Sequence, residues 1–251
     1  MTYEIEYYCV SHIGKYRKKN QDNFLCIDNI MGYINDGTNG IIHGNVLHKL
    51  GAVFGVFDGM GGGENGEVAA YIAAKNLLNG SSRVSGEKEL YEFCRSTNAE
   101  ICRYMKEYSL SNMGTTAAIL KLSKRKIWLC NIGDSKIFRL SKCGFQQISK
   151  DHLSVSAFGI KPRLLQCLGI PENELIIEPY ITFSTYQDGD IYLICSDGLS
   201  DMVTTDDIDR ILLNTSKEDV AERLMQLALD NGGRDNITFI ILYIKKKKWI
   251  S

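Results

Sequence analysis

Acidic residues stand at the ends of apolar, strand-like runs at five places, and this placement constrains the fold more than any other feature of the chain. Val53–Phe57 runs into Asp58-Gly59, Ile191–Cys195 into Ser196-Asp197-Gly198, and Ile127–Ile132 into Gly133-Asp134. Asp235-Asn236 immediately precedes the run 237–244, and Asp22 precedes the apolar segment 24–27. Further strand signals lie at 115–122, 137–140 and 145–148. Short turns such as Lys142-Cys143-Gly144 read as hairpins. Strands joined so tightly must be antiparallel, because a parallel pair needs a long crossover.

The helical signals come in blocks. Val68, Ile72 and Leu77 predict a helix over about 64–78, with Gly80 just past its end. Leu90, Phe93, Cys94, Ile101, Tyr104, Met105 and Tyr108 keep the 3–4 spacing of a helix over about 87–108. A third helix is expected from a capping box at Ser216-Lys217-Glu218-Asp219 to Asp230, with Gly232 beyond it, and a short one after Thr204. Helices grouped in this way predict a layered α+β fold, not a doubly wound α/β one.

The chain of 251 residues is expected to form a single domain, 1–251, large enough to bury a core without disulfides. Its 29 basic and 30 acidic residues give a net charge of −1, which disfavours a general nucleic-acid or anionic-membrane partner. The 8 cysteines contain no C-x-x-C and sit mostly in apolar runs, where a thiol behaves as a small hydrophobe. The first residues have neither a basic nor an apolar leader region, and no apolar run is long enough to span a bilayer. A reducing cytoplasm is therefore the expected address.

Acids at several strand ends can converge on one edge of a sandwich. Unpaired, they would repel one another and their pKa values would rise. A divalent cation resolves that conflict, and oxygen-only ligation favours magnesium or manganese over zinc. Asp-Gly after a strand is also ordinary turn chemistry. Five such sites in one chain weigh against that reading, and so do the residues around them.

Those residues form an ordered series: Gly14-x-x-Arg17-x-x-Asn20-Gln21-Asp22, Val56-Phe57-Asp58-Gly59-Met60-Gly61-Gly62, Gly114-Thr115-Thr116, Asn131-Ile132-Gly133-Asp134-Ser135, Asp151-His152, Cys195-Ser196-Asp197-Gly198-Leu199 and Asp235-Asn236-Ile237-Thr238. The series resembles the metal-dependent serine/threonine protein phosphatases of the protein phosphatase 2C family, in their bacterial form, over about 14–240. The resemblance implies a four-layer α-β-β-α sandwich of two antiparallel sheets flanked by helices. It implies two Mn2+ or Mg2+ ions, with a possible weaker third, and direct attack of metal-bound hydroxide on phosphoserine or phosphothreonine. By the same resemblance Asp58 bridges the ions, and the Gly59 carbonyl, Asp197 and Asp235 are further ligands. Asp22 holds metal-bound water, Asp134 joins Asp197 at the third ion, and Arg17 grips the substrate phosphate. The partner would be a phosphoprotein, in opposition to a serine/threonine kinase, and the chain a monomer.

Three positions depart from the pattern. Gln21 stands where many relatives carry glutamate. Met60 stands where many eukaryotic members carry a histidine proposed as general acid. The segment 153–163, where the family carries a flap, is short. Of two rival readings, the first is an NAD-binding oxidoreductase, since Gly61-x-Gly63-x-x-Gly66 matches the dinucleotide fingerprint. Against it, Asp58 directly before the glycines would repel pyrophosphate, and the chain has no repeated βαβ pattern. The second is a non-catalytic relative using the same fold, and retention of every metal acid argues for an enzyme.

Of the histidines none has metal-ligand spacing, and His152 is read as structural. The lysine run 245–248 reads as a solvated strand end. The segment 31–50 reads as a hairpin or loop insertion.

Overall fold

Apolar runs without polar alternation become strands buried on both faces. The protein is seen in a computed structural model that describes residues 2–47, 51–60, 65–123, 126–155 and 162–247. The first half of the chain runs β1 (Tyr3–His12), β2 (Asn23–Cys26), β3 (Ile42–Leu47), β4 (Val53–Phe57), β5 (Gly59–Met60), α1 (Gly66–Gly80) and α2 (Glu87–Glu107). Six strands follow: β6 (Gly114–Thr115), β7 (Ala117–Leu122), β8 (Ile127–Ile132), β9 (Lys136–Ser141), β10 (Gly144–Gln147) and β11 (Tyr180–Ser184). The chain continues with β12 (Ile191–Cys195), α3 (Asp197–Ser200), α4 (Thr205–Asn214), α5 (Lys217–Asp230) and β13 (Ile237–Lys246).

One sheet has the order β10-β9-β12-β13-β1-β3 and the other β11-β8-β7-β4-β2, with β5 and β6 forming a separate ribbon. Every strand pair is antiparallel among the described residues. Side chains alternate across β13: Ile240, Leu242 and Ile244 enter the core between the sheets, while Phe239, Ile241 and Tyr243 face α4 and α5. In β4, Phe54 and Val56 likewise face the other sheet, while Val53 and Phe57 pack under α1 and α2. Three apolar layers thus lie between four layers of secondary structure, the α+β sandwich that the resemblance implied.

The three longer predicted helices are present, shifted at their ends by one or two residues, with Gly80 inside α1 as its last residue. The helix after Thr204 spans ten residues, its first turn capped by the Thr204 hydroxyl, which accepts from Asp207 N at 3.2 Å. The expected capping box does not form. Ser216 Oγ donates instead to the Asp219 carboxylate at 2.5 Å and makes no cap to the backbone. The run 115–122 divides at Thr116, where β6 leaves for β5 and β7 stays with β4 and β8. Within the 31–50 insertion lies edge strand β3, paired with β1; residues 48–50 lie outside the described set. β1, β3 and β11 were not among the sequence signals.

Candidate functional site

Register carries the five acids to one end of the sandwich. Asn23 pairs with Phe57, so Asp22 and Asp58 are the next residues beyond the last pair of β2 and β4. Ala117 pairs with Ile132, which places Gly133 and Asp134 past the same end, in the link from β8 to β9. In the other sheet Cys195 pairs with Phe239, so Asp197 leaves β12 where Asp235 enters β13. The segment 13–22 joins β1 to β2 across this end and brings Arg17 and Asp22 with it.

Hydrogen bonds hold these elements in place. Asn236 knots the 13–22 segment: its amide donates to the Ile13 and Lys19 carbonyls at 2.8 and 3.0 Å, and its carbonyl accepts from Gln21 N at 2.8 Å. The backbone of Asp58 is clasped by two threonines. Asp58 N donates to Thr116 Oγ1 at 3.0 Å, while Thr115 Oγ1 and Thr116 N donate to the Asp58 carbonyl at 3.0 and 2.9 Å. Gly59 is required by close approach, since a Cβ there would fall 2.2 Å from the Gly66 carbonyl and 2.3 Å from that of Gln21.

The carboxylates lie in one another's field. Burial first, and then the charges of Asp197 and Asp235, push Asp22 up to about 7, against hydrogen bonds from Thr238 and Ser196 that favour the ionised form. Asp58 is pushed well above the carboxylate range by burial and then by Asp22, Asp197, Asp134 and Asp235. Arg17 answers part of this charge. Its Nη2 lies 2.5 Å from Asp235 Oδ2, and Asp58 and Asp197 also act on it. Gln21 donates to Glu67 Oε2 at 3.1 Å and Lys19 to Glu67 Oε1 at 2.8 Å. A buried glutamate therefore stands beside the neutral Gln21.

Among the described residues, no three acidic, histidine or cysteine side chains are already drawn together as a ligand array. The donor set nevertheless has the chemistry of a hard divalent site, being all oxygen, partly buried and electrostatically frustrated without a cation. The structure brings Arg17, Asp22, Asp58, Gly59, Asp134, Asp197 and Asp235 to one end of the sandwich. His152 is held by Gly133 and by the Glu178 carbonyl, in keeping with a structural role. Gly61, Gly63 and Glu64 lie outside the described residues, as do 156–161 of the short flap segment. The described ends of that segment pair through Leu153 and Leu164. Sequence reasoning missed Glu67, which carries no motif of its own, and the clasping roles of Thr115, Thr116, Ser196 and Asn236.

Residues 43–230 match the family model described as protein phosphatase 2C. The serine/threonine protein phosphatase PstP of Mycobacterium tuberculosis is 32% identical over 198 residues, covering 73% of this chain and 38% of that protein. The chain thus spans under half the length of that relative. The serine/threonine phosphatase stp of Listeria monocytogenes is 29% identical over 212 residues, covering 74% of this chain and 82% of the relative. In fold, the chain superposes on the PstP catalytic domain in complex with 2 manganese ions with a TM-score of 0.77. That match has 27% identity and covers 97% of this chain and 100% of the other. No helix among the described residues is long and apolar enough to cross a membrane.

Proposed function

The chain belongs to the protein phosphatase 2C family, and from that premise we propose that it hydrolyses phosphoserine and phosphothreonine in proteins, dependent on Mn2+ or Mg2+. The observation that carries this reading is the convergence of Asp22, Asp58, Asp134, Asp197 and Asp235 under Arg17 at one end of the sandwich. The names of the mycobacterial and listerial relatives support it, and so do the manganese ions of the PstP structure.

Asp58, the Gly59 carbonyl, Asp197 and Asp235 would hold two cations, and Asp134 with Asp197 a weaker third. When bound, the cations lower the pKa of a water and neutralise phosphoryl oxygens. The chain's own residues do the positioning. Asp22 accepts hydroxyl hydrogen bonds from Ser196, at Oδ2, and from Thr238, which fix the carboxylate that would orient water over the site. Arg17 is half exposed and exchanges one oxyanion, the Asp235 carboxylate, for another, the substrate phosphate, which its planar fork holds at two oxygens. Phosphoryl transfer asks for little more than this positioning and charge neutralisation.

The reading extends to a phosphoprotein substrate, an opposing serine/threonine kinase, and a monomer of one domain acting in the cytoplasm. Its test is release of phosphate from a phosphothreonine peptide with manganese, magnesium or EDTA, with Asp197→Asn alongside. Metal-dependent release that the substitution abolishes is the expected result. No release from folded protein with either metal would replace the reading by a non-catalytic binding role.

A further inference from the structure

A cavity of about 490 Å³ opens beside the acid cluster. Cys102, Met105 and Lys106 of α2 line it from below, Met60 and residues 110–114 from one side, and residues 167–174 from the other. Its second wall is built into the frame of the site. Leu168 and Thr115 exchange backbone hydrogen bonds of 2.9 Å, and Thr115 Oγ1 donates in turn to the Asp58 carbonyl. Asn98 of α2 pins the same wall, accepting from Gly169 N and Ile170 N at 2.7 and 3.1 Å and donating to the Ile170 carbonyl at 2.9 Å.

Gly114 holds the mouth open. A Cβ there would fall 2.8 Å from the Leu168 carbonyl, 3.3 Å from Cys167 Sγ and 3.7 Å from Met60 Cγ, so any side chain would wedge between those two sulfur-bearing residues. The cavity also shares a boundary with the acids. Burial and then the nearby charge of Asp134 push the Cys167 thiol up to about 11. Met60 follows Asp58 by two residues, a distance that about two residues of extended peptide cover.

We propose that this cavity receives a bulky apolar side chain flanking the phosphorylated residue of a protein substrate, and so selects which phosphosites are hydrolysed. The inference rests on the phosphatase reading. Met60, Met105 and Met113 give the lining flexible, polarisable thioethers, which accept Leu, Met or Phe without demanding one shape. Lys106 and Glu174 contribute one charge of each sign to the lining, which is otherwise neutral and mostly apolar. Continuity with the acid cluster, through Thr115, whose backbone pairs with Leu168 and whose hydroxyl donates to the Asp58 carbonyl, makes a segment of bound substrate the occupant.

The test compares kcat/KM for phosphothreonine peptides that carry Leu or Ala at each position within about three residues of the phosphothreonine. Leu at one position should raise kcat/KM by ~10-fold or more. Cys102→Phe, which fills the cavity, should collapse that Leu-to-Ala ratio toward one, whereas Cys102→Ser should keep it. A second readout needs no turnover: the Leu peptide, and not the Ala peptide, should slow alkylation of Cys102 and Cys167, mapped by mass spectrometry, with exposed Cys143 as internal reference. Equal kcat/KM for all peptides, a ratio that survives Cys102→Phe in folded protein, or alkylation indifferent to the peptide would each overturn the proposal. Hydrolysis of p-nitrophenyl phosphate, which reaches no flanking cavity, separates these outcomes from failure of the phosphatase reading itself.

Discussion

The hydroxyl of Ser196 donates to Oδ2 of Asp22 at 2.8 Å, joining the two sheets across their shared acidic end through residues that are 174 positions apart. Ser196 also accepts from Thr238 N at 3.1 Å. Removing the hydroxyl leaves a buried carboxylate short of a donor and a backbone N–H short of an acceptor. Ser196→Ala should therefore lower stability by about 1–3 kcal/mol, read as a reduced urea midpoint in EDTA. The same change should push Asp22 higher, since the lost bond favours its ionised form.

Raised carboxyl pKa values make the metal-free protein sensitive to pH in an unusual direction. Asp22 titrates at about 7 in the folded chain and near its ordinary 3.8 when unfolded. Between those values the folded state holds a proton that the unfolded state has lost, so stability falls as pH rises. In EDTA the Tm should drop from pH 5.5 to 7.5 by about 2–4 °C for each 1 kcal/mol lost. On the proposed reading manganese binds the ionised carboxylates, so it should raise Tm more at pH 7.5 than at pH 5.5. A metal-free Tm that climbs across this window, or a manganese shift larger at the lower pH, would contradict the acid cluster as described.

Asp58 should show opposite signs for stability and activity. It lies in the field of four other aspartates. Asp58→Asn removes a carboxyl that folding holds well above its ordinary range, so the metal-free Tm at pH 7.5 should rise while the manganese-induced shift shrinks. Phosphate release from a phosphothreonine peptide should fall by about 10²–10³-fold or more, the scale of losing a preorganised electrostatic group at a reacting centre. Calorimetry in EDTA and with manganese checks the first part, and steady-state kinetics the second.

The fold was legible in the sequence where both faces of an element are apolar, because burial from two sides needs no knowledge of its neighbours. The runs 191–195 and 127–132 read directly as strands for that reason, while α2, which buries one face only, read from its 3–4 spacing. β1 was missed because Glu4 and Glu6 interrupt it, although Lys217 pairs with Glu6 and β13 covers its length. The acids of the site were legible as a set through their strand ends. Glu67 was not, because its role depends on Lys19 and Gln21 arriving from 48 and 46 residues away. The break at Thr116 was equally hidden, since it arises from hydrogen bonds to Asp58 made only in the folded chain.

Arg17 offers the sharpest separation between holding phosphate and holding metal. Its guanidinium bonds Asp235 at 2.5 Å, yet its side chain keeps 49% of its exposure, so it is free to turn toward an incoming anion. A lysine at this position keeps the charge and loses the fork that grips two oxygens. Arg17→Lys should lower kcat/KM for phosphopeptides by about tenfold, mainly through KM, and Arg17→Ala by about 10–100-fold, the worth of one or two charge-assisted hydrogen bonds. Metal affinity should move the other way or stay constant, because neutralising residue 17 releases the Asp235 carboxylate to a cation. Titrating manganese by its effect on Tm, in parallel with peptide kinetics, reads both quantities on the same proteins. If Arg17→Ala weakened manganese binding and left KM unchanged, Arg17 would be a strut for Asp235 and the phosphate grip would have to come from elsewhere.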